Sequence, residues 1–297
     1  MKPTLLTLQT ILLEQTAAPA RSAASAPVLP YLASKVRGFA MRYRLFDHLR
    51  VLSSIYWFGP WRELAIRYYQ WRNRNQPLPQ TEQTLFPTLS TTETAAQINT
   101  NGFAPGLQLT EATVGALLAY CARHGANAYH NHDLTCPAFR DIVHDPALLA
   151  VARAYLGAEP RLHSTRLYWT HPPTSEAEQQ RLQIQKARYH YDLSDFKALI
   201  IFFYLTDVTA DCGPHVTIQG THRHKTLRQM LTRFLTDQAA QTQYGDRITT
   251  ITGPRGSGFF TDIACYHKHS YGTRDRLMMS ITYVLQRRPE PRVPKTF

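Results

Sequence analysis

Residues 189–205 read YHYDLSDFKALIIFFYL, and within them Ala198 to Leu205 is apolar without interruption. So short a run, rich in aromatic and β-branched side chains, reads as a strand buried on both faces. Just upstream, Tyr189-His190-Tyr191-Asp192 places two potential metal ligands two positions apart. In an extended segment alternate side chains share a face, so His190 and Asp192 project together and can bind one ion.

Outward from this stretch, further strands are predicted at Leu162 to Thr170, Ala198 to Thr206, His215 to Gln219, Ile248 to Thr252, Ser257 to Asp262 and Leu277 to Leu285. Cys212-Gly213-Pro214 and Gly253-Pro254-Arg255-Gly256 supply turns between them. Before residue 160 the period is helical. Thr110 caps a helix whose apolar positions are Val114, Leu117, Leu118 and Cys121 and which ends at Gly125; Asp145 and Pro146 open another that stops at Gly157. Leu227, Met230, Leu231, Phe234 and Leu235 predict a helical insert between strands. Helices first and many short strands later predict an α+β fold. Its core would be a jelly roll, a cupin-like double-stranded β-helix, with helices flanking it on the N-terminal side.

The 297 residues, 43% hydrophobic and 18% charged, suffice for a packed core and exclude a wholly disordered or fibrous chain. No apolar run approaches the length of a membrane span. The four cysteines lack a CxxC spacing, which argues against a disulfide scaffold or a cysteine-rich zinc site and for a reducing compartment. A cytoplasmic location is expected, although residues 1–44 are poor in acids and keep organelle targeting open. The polar residues Thr7, Gln9, Thr10 and Glu14 break up what would be a signal-peptide core.

The net charge of +12 is regional: residues 1–75 hold eleven lysines and arginines against Glu14, Asp47 and Glu63. Residues 15–31, rich in Ala, Pro and Ser, read as a linker. Leu32 to Trp71 alternates arginines with aromatics at helical spacing, broken at Gly59-Pro60. This stretch is either a helical layer packed on the main domain or a basic surface for lipid, an acidic partner or an anionic carrier. The expected organisation is a basic, aromatic helical extension and linker over 1–95 and a jelly-roll domain over 96–297. Nucleic-acid binding is not expected, because the basic segment has no helix-turn-helix, zinc-finger or RNP pattern.

A third ligand must come from elsewhere, and Cys265-Tyr266-His267-Lys268-His269 offers one. Two imidazoles and one carboxylate leave open positions on iron for cosubstrate and oxygen. Arg276, opening the last strand, can hold a carboxylate bidentately. The other metal-like cluster, His130-Asn131-His132-Asp133, has no later partner and reads as a loop. Ser164 and Cys265 lack a nucleophile setting.

Several of these elements together resemble the phytanoyl-CoA dioxygenase family of Fe(II)/2-oxoglutarate oxygenases. They are Asn101-Gly102-Phe103 before the Thr110 helix, Pro172-Pro173 and the loop to His190-Tyr191-Asp192, and Tyr204-Leu205-Thr206-Asp207-Val208. Gly213-Pro214 running to Gly220-Thr221-His222-Arg223 follows, then Gly258-Phe259-Phe260 running to His267 and Thr273-Arg274-Asp275-Arg276. The resemblance covers residues 98 to 286. It implies iron ligands His190, Asp192 and His267, with His269 as the rival third ligand. Arg276 would bind the distal carboxylate of 2-oxoglutarate, and Leu167 and Phe203 would line the cosubstrate pocket. Tyr168, Gln185, Arg188 and His222 are candidate substrate contacts, with Arg166 and Lys186 nearby.

Fe(II), 2-oxoglutarate and O2 are the implied cofactors, and a small molecule, anionic or carrier-bound, the implied substrate. Relatives that halogenate carry Gly or Ala at the carboxylate position, so Asp192 implies hydroxylation, desaturation or ring closure instead. The competing expectation is a non-catalytic jelly-roll scaffold docking an anionic partner through its basic N-terminal segment.

Overall fold

The computed structural model describes residues 45–126, 135–176, 188–270 and 272–286. Gln185, Lys186, the linker at 15–31 and the His130 to Asp133 cluster lie outside them. The chain divides into two compact units, Met1–Ser53 and Ser54–Phe297, the second of which holds both β-sheets. Residues 54–95 share the core of that second unit through the buried Trp57, Ile66 and Phe86.

Helices α1 (Leu45–Phe58) and α2 (Arg62–Asn73) are separated at Gly59-Pro60, as their period predicts. Helix α3 (Thr91–Asn101) was not predicted; Ser90 caps it and Gly102, in the left-handed region, ends it. The predicted pair follows as α4 (Glu111–His124), capped by Thr110, and α6 (Pro146–Leu156), with the short α5 (Pro137–Val143) between them. Asp145 is fully buried. Its carboxylate accepts from the Ala147 and Leu148 amides of α6 and from Thr84 and Leu85, which ties residues 84–85 to the helix start.

The strands are β1 (Phe103–Gln108), β2 (Arg161–Thr170), β3 (Ala198–Tyr204), β4 (His215–Ile218), β5 (Ile248–Ile251), β6 (Ser257–Thr261), β7 (His267–His269) and β8 (Arg276–Val284). They form two antiparallel sheets ordered β1-β6-β3-β8-β2 and β5-β4-β7. The insert between β4 and β5 is two helices, α7 (Leu227–Thr232) and α8 (Asp237–Tyr244).

Every residue of β3 is buried, because the large sheet is covered on both faces. Leu199, Ile201 and Phe203 point into the core shared with the helices. Ile200, Phe202 and Tyr204 point toward the small sheet, into a core with Phe103, Phe259 and Met278. A third core, containing Tyr189, Tyr191, Val216, Ile218 and Tyr266, lies on the far side of the small sheet, beneath α8. The result is a mixed helix and antiparallel-sheet fold in which the space between the two sheets is walled by both.

Candidate metal centre

The inner face of the small sheet is built by strand alternation. His215 pairs with His269 and Thr217 with His267, and an isolated bridge pairs His267 with His190. Cross-strand partners share a face, so these side chains all turn toward the large sheet, while Val216 and Ile218 turn away into the third core. Asp192 follows His190 by two residues, and its amide donates to the Ile263 carbonyl at 2.9 Å.

His190, Asp192 and His267 each bring one ligand atom to within 4.8 Å of the others. His267 Nε2 stands 3.7 Å from an Asp192 carboxylate oxygen. The imidazoles are oriented through their other nitrogens: His190 Nδ1–H donates to the Arg188 carbonyl at 3.0 Å, and His267 Nδ1–H to the Cys265 carbonyl at 2.9 Å. A carbonyl only accepts, so both rings carry the proton on Nδ1 and leave Nε2 as the ligand lone pair. Burial lowers the His267 imidazole, keeping it neutral. Desolvation in the pocket opposes ionisation of Asp192, but His267 and His190, then Arg233 and Arg166, outweigh it and hold the carboxyl below its usual range. A neutral His267 imidazole beside an ionised Asp192 carboxylate matches the protonation states a divalent cation needs.

The turn leading to His267 is held from the helix layer. The buried Tyr155 hydroxyl donates to Asp262 Oδ2 at 2.5 Å, and the other Asp262 oxygen accepts the Ala264 amide at 2.8 Å. Lys197 donates to the Tyr155 carbonyl and lies over its ring.

Both sheets and the loops beside them line the pocket: Arg166 and Tyr168 from β2, Phe202 from β3, Ser280 and Thr282 from β8, and His215, His267 and His269 from the small sheet. Arg276 is 1% exposed and shares the inward parity of Ser280 and Thr282 on β8; one of its terminal nitrogens donates to the Gly213 carbonyl. Among the described residues, Arg276 Nε, Ser164 Oγ, both His215 nitrogens and His269 Nδ1 are buried without a hydrogen-bond partner. Buried polar groups are normally satisfied, so this set, with Arg276 and Ser164 on the large sheet and His215 and His269 on the small one, fits a ligand with several acceptor oxygens, as a dicarboxylate has.

Other expected residues fall elsewhere. Leu167 and Phe203 point into the helix-side core, where Phe203 stacks on Phe86 at 5.9 Å, so the pocket is lined instead by their neighbours Arg166, Tyr168 and Phe202. Alternation explains the difference, since a shift of one residue changes the face. His222 is buried behind Cys265, 3.7 Å from its sulfur, rather than at the pocket mouth. Arg188 packs over the Phe234 ring. The expectation missed His215 and had His269 only as the rival third ligand; the rings of the two lie 5.4 Å apart, with His215 stacked on His267 at 5.3 Å. Burial, reinforced by His267 and Arg276 for His215 and by His215 and Arg276 for His269, holds both imidazoles well below their ordinary range. The alternation His267-Lys268-His269 was the one available signal. A larger hollow bordered by Phe86, Glu93, Gln97 and Gln108 carries no comparable ligand cluster among the described residues.

Two antiparallel sheets with two histidines and a carboxylate converging between them form a candidate mononuclear metal centre. The chain belongs to the phytanoyl-CoA dioxygenase family, whose profile matches residues 111–270; its members use Fe(II), 2-oxoglutarate and oxygen. No curated protein matches the chain.

Solved structures with a similar fold include AviO1 from Streptomyces viridochromogenes Tue57, with 17% identity, 70% of this chain and 98% of that one covered, and a TM-score of 0.46. The epimerase SnoN from nogalamycin biosynthesis, in complex with Fe3+, alpha ketoglutarate and nogalamycin RO, gives 17% identity, 65% and 82% coverage, and 0.48. EctD from S. alaskensis with bound Fe gives 21%, 71% and 82%, and 0.47.

Proposed function

We propose that this protein is an Fe(II)- and 2-oxoglutarate-dependent hydroxylase of a small organic molecule, and that its two sheets form a double-stranded β-helix. The observation that carries the proposal is the convergence of His190, Asp192 and His267, with both imidazole tautomers fixed by carbonyls so that Nε2 faces the shared point. Those three residues would hold iron on one face and leave the other open. Iron held there would, with 2-oxoglutarate and oxygen as cosubstrates, supply the oxidising power for attack on a substrate C–H bond, with oxidation of 2-oxoglutarate to succinate and carbon dioxide balancing the reaction.

The chain's own residues orient and enclose. The Arg276 guanidinium pairs with the distal carboxylate of 2-oxoglutarate, and Ser164 on the large sheet with His215 and His269 on the small one offer it further hydrogen bonds. Phe202, Ile200 and Ile263 supply the apolar part of an otherwise polar lining. Arg166 and Tyr168 on β2 favour a substrate carrying an anionic group. Asp192 fills the position a halide would need, which favours hydroxylation over chlorination.

The test is anaerobic addition of Fe(II) and 2-oxoglutarate to the metal-free protein, with Asp192→Ala and Arg276→Ala alongside. A weak visible charge-transfer band in the parent that fades in both variants supports the proposal. No band, with no bound iron, overturns it.

A further inference from the structure

Helix α2 is fixed to the second unit by one face and presents an unusual other face. Its Arg62 guanidinium donates twice to the Phe196 carbonyl, at 2.8 and 3.1 Å, while Asn73 at the far end donates to the Leu285 carbonyl. Ile66 is buried between them. On the outward side, Trp61, Leu64, Tyr68 and Trp71 follow one another at intervals of three, four and three, a single helical stripe, with exposures of 41, 70, 50 and 61%. The stripe runs about 15 Å along the helix at 1.5 Å per residue. Arg67, Arg72 and Arg74 flank it, Arg74 lying over the Trp71 ring at 5.4 Å, and Glu63 is the one acidic residue between Gly59 and Asn75.

We propose that this face of α2 docks the protein on an anionic lipid surface, with the Trp, Leu and Tyr side chains entering the headgroup boundary and the arginines meeting lipid phosphates. An exposed apolar stripe rimmed by arginine, with aromatic rings that carry a polar edge, is the composition of a helix that lies in a membrane interface. Among the described residues no helix is long and apolar enough to cross a membrane, so the contact is peripheral. Charge selects lipid over the chain's own N-terminal residues, since residues 1–44 carry Lys2, Arg21, Lys35, Arg37, Arg42 and Arg44 against Glu14 alone. A second copy would bring the same basic helix. Both would place positive charge against positive charge. The proposal is independent of the iron site.

The experiment is co-sedimentation of the full chain with vesicles of phosphatidylcholine alone and with about 30% phosphatidylglycerol, at low and at physiological salt. Binding should require phosphatidylglycerol and weaken with salt. Leu64→Glu/Trp71→Glu should lower it at least tenfold. Arg67→Glu/Arg72→Glu should lower it about tenfold. All four residues face outward, and an unchanged melting curve confirms that the variants fold. Equal sedimentation of parent and variants, or none at all, overturns the proposal. So does variant-sensitive binding to polyglutamate without binding to vesicles, which would indicate an acidic protein partner. A dimer that Leu64→Glu dissolves would assign the face to a second copy and equally overturn it.

Discussion

His190 and His267 exchange backbone hydrogen bonds, N–H to O at 2.9 Å in one direction and 2.7 Å in the other, and their rings stand 4.6 Å apart. The spacing of the two imidazoles is therefore fixed by strand pairing between segments far apart in sequence. A site of this kind exists before the metal arrives. Replacing any of its three side chains should remove metal without unfolding the protein. Iron content by mass spectrometry of His190→Ala, Asp192→Ala and His267→Ala should fall at least tenfold, whereas His269→Ala should keep near one iron per chain. Iron lost from His269→Ala and kept in His267→Ala would make His269 the third ligand.

Arg276 is buried, with its Nε lacking a partner, and it should govern cosubstrate binding alone. Removing a charge-assisted pair of this type costs about 2–3 kcal/mol, or roughly 30- to 150-fold in affinity. Anaerobic calorimetry with 2-oxoglutarate on iron-loaded Arg276→Ala should show that loss with iron content unchanged. An unaltered affinity would place the distal carboxylate elsewhere.

Gly102 has φ +71°, and a Cβ there would stand 2.3 Å from Cys265 Sγ and 2.7 Å from His222 Nδ1. Gly106 has φ +106° and open space around it. Gly102→Ala should therefore cost about 2–4 kcal/mol and Gly106→Ala only about 1, the cost of backbone strain without overpacking. Urea unfolding of the two variants separates the contributions.

Burial lowers the His222 imidazole to about 4, Arg223, Lys225 and Arg62 acting in the same direction and Asp262 against them. The unfolded chain then takes up this proton first as pH falls. The stability is present in full above about pH 6.5 and is lost as pH falls toward 4. By pH 5 the loss from this residue should reach roughly 2 kcal/mol. Urea midpoints of the metal-free protein between pH 7.5 and 5 should fall more steeply than those of His222→Asn; parallel slopes would refute the assignment.

Elements whose burial is uniform or strictly periodic were readable from the sequence. The Ala198 to Thr206 prediction meets β3 at Ala198–Tyr204, and the helix from Asp145 to Gly157 is found with its predicted cap. Elements made by tertiary context were not. Strand β1 reads FAPGLQ, with a proline and a glycine that disfavour strands, and exists because it pairs with the edge of β6 through a bulge. Helix α8 buries only Ala240, so it leaves almost no apolar period to find. The candidate ligand cluster was legible because His190 and Asp192 are two apart and the family resemblance supplied His267. Placing His215 beside His267 required the register of two strands, which no local pattern encodes.

The order β1-β6-β3-β8-β2 has a consequence for how the chain is made. Strand β8 is the last in chain order among the described residues, yet it lies between β3 and β2. Until residues 276–284 leave the ribosome, β2 has no neighbour and one edge of β3 presents bare amides and carbonyls beside side chains that are wholly buried in the finished fold. During synthesis the molecule passes through a state with two sticky edges. The apolar run that makes β3 the centre of the large sheet also leaves it open to mispairing until the β8 strand slots in.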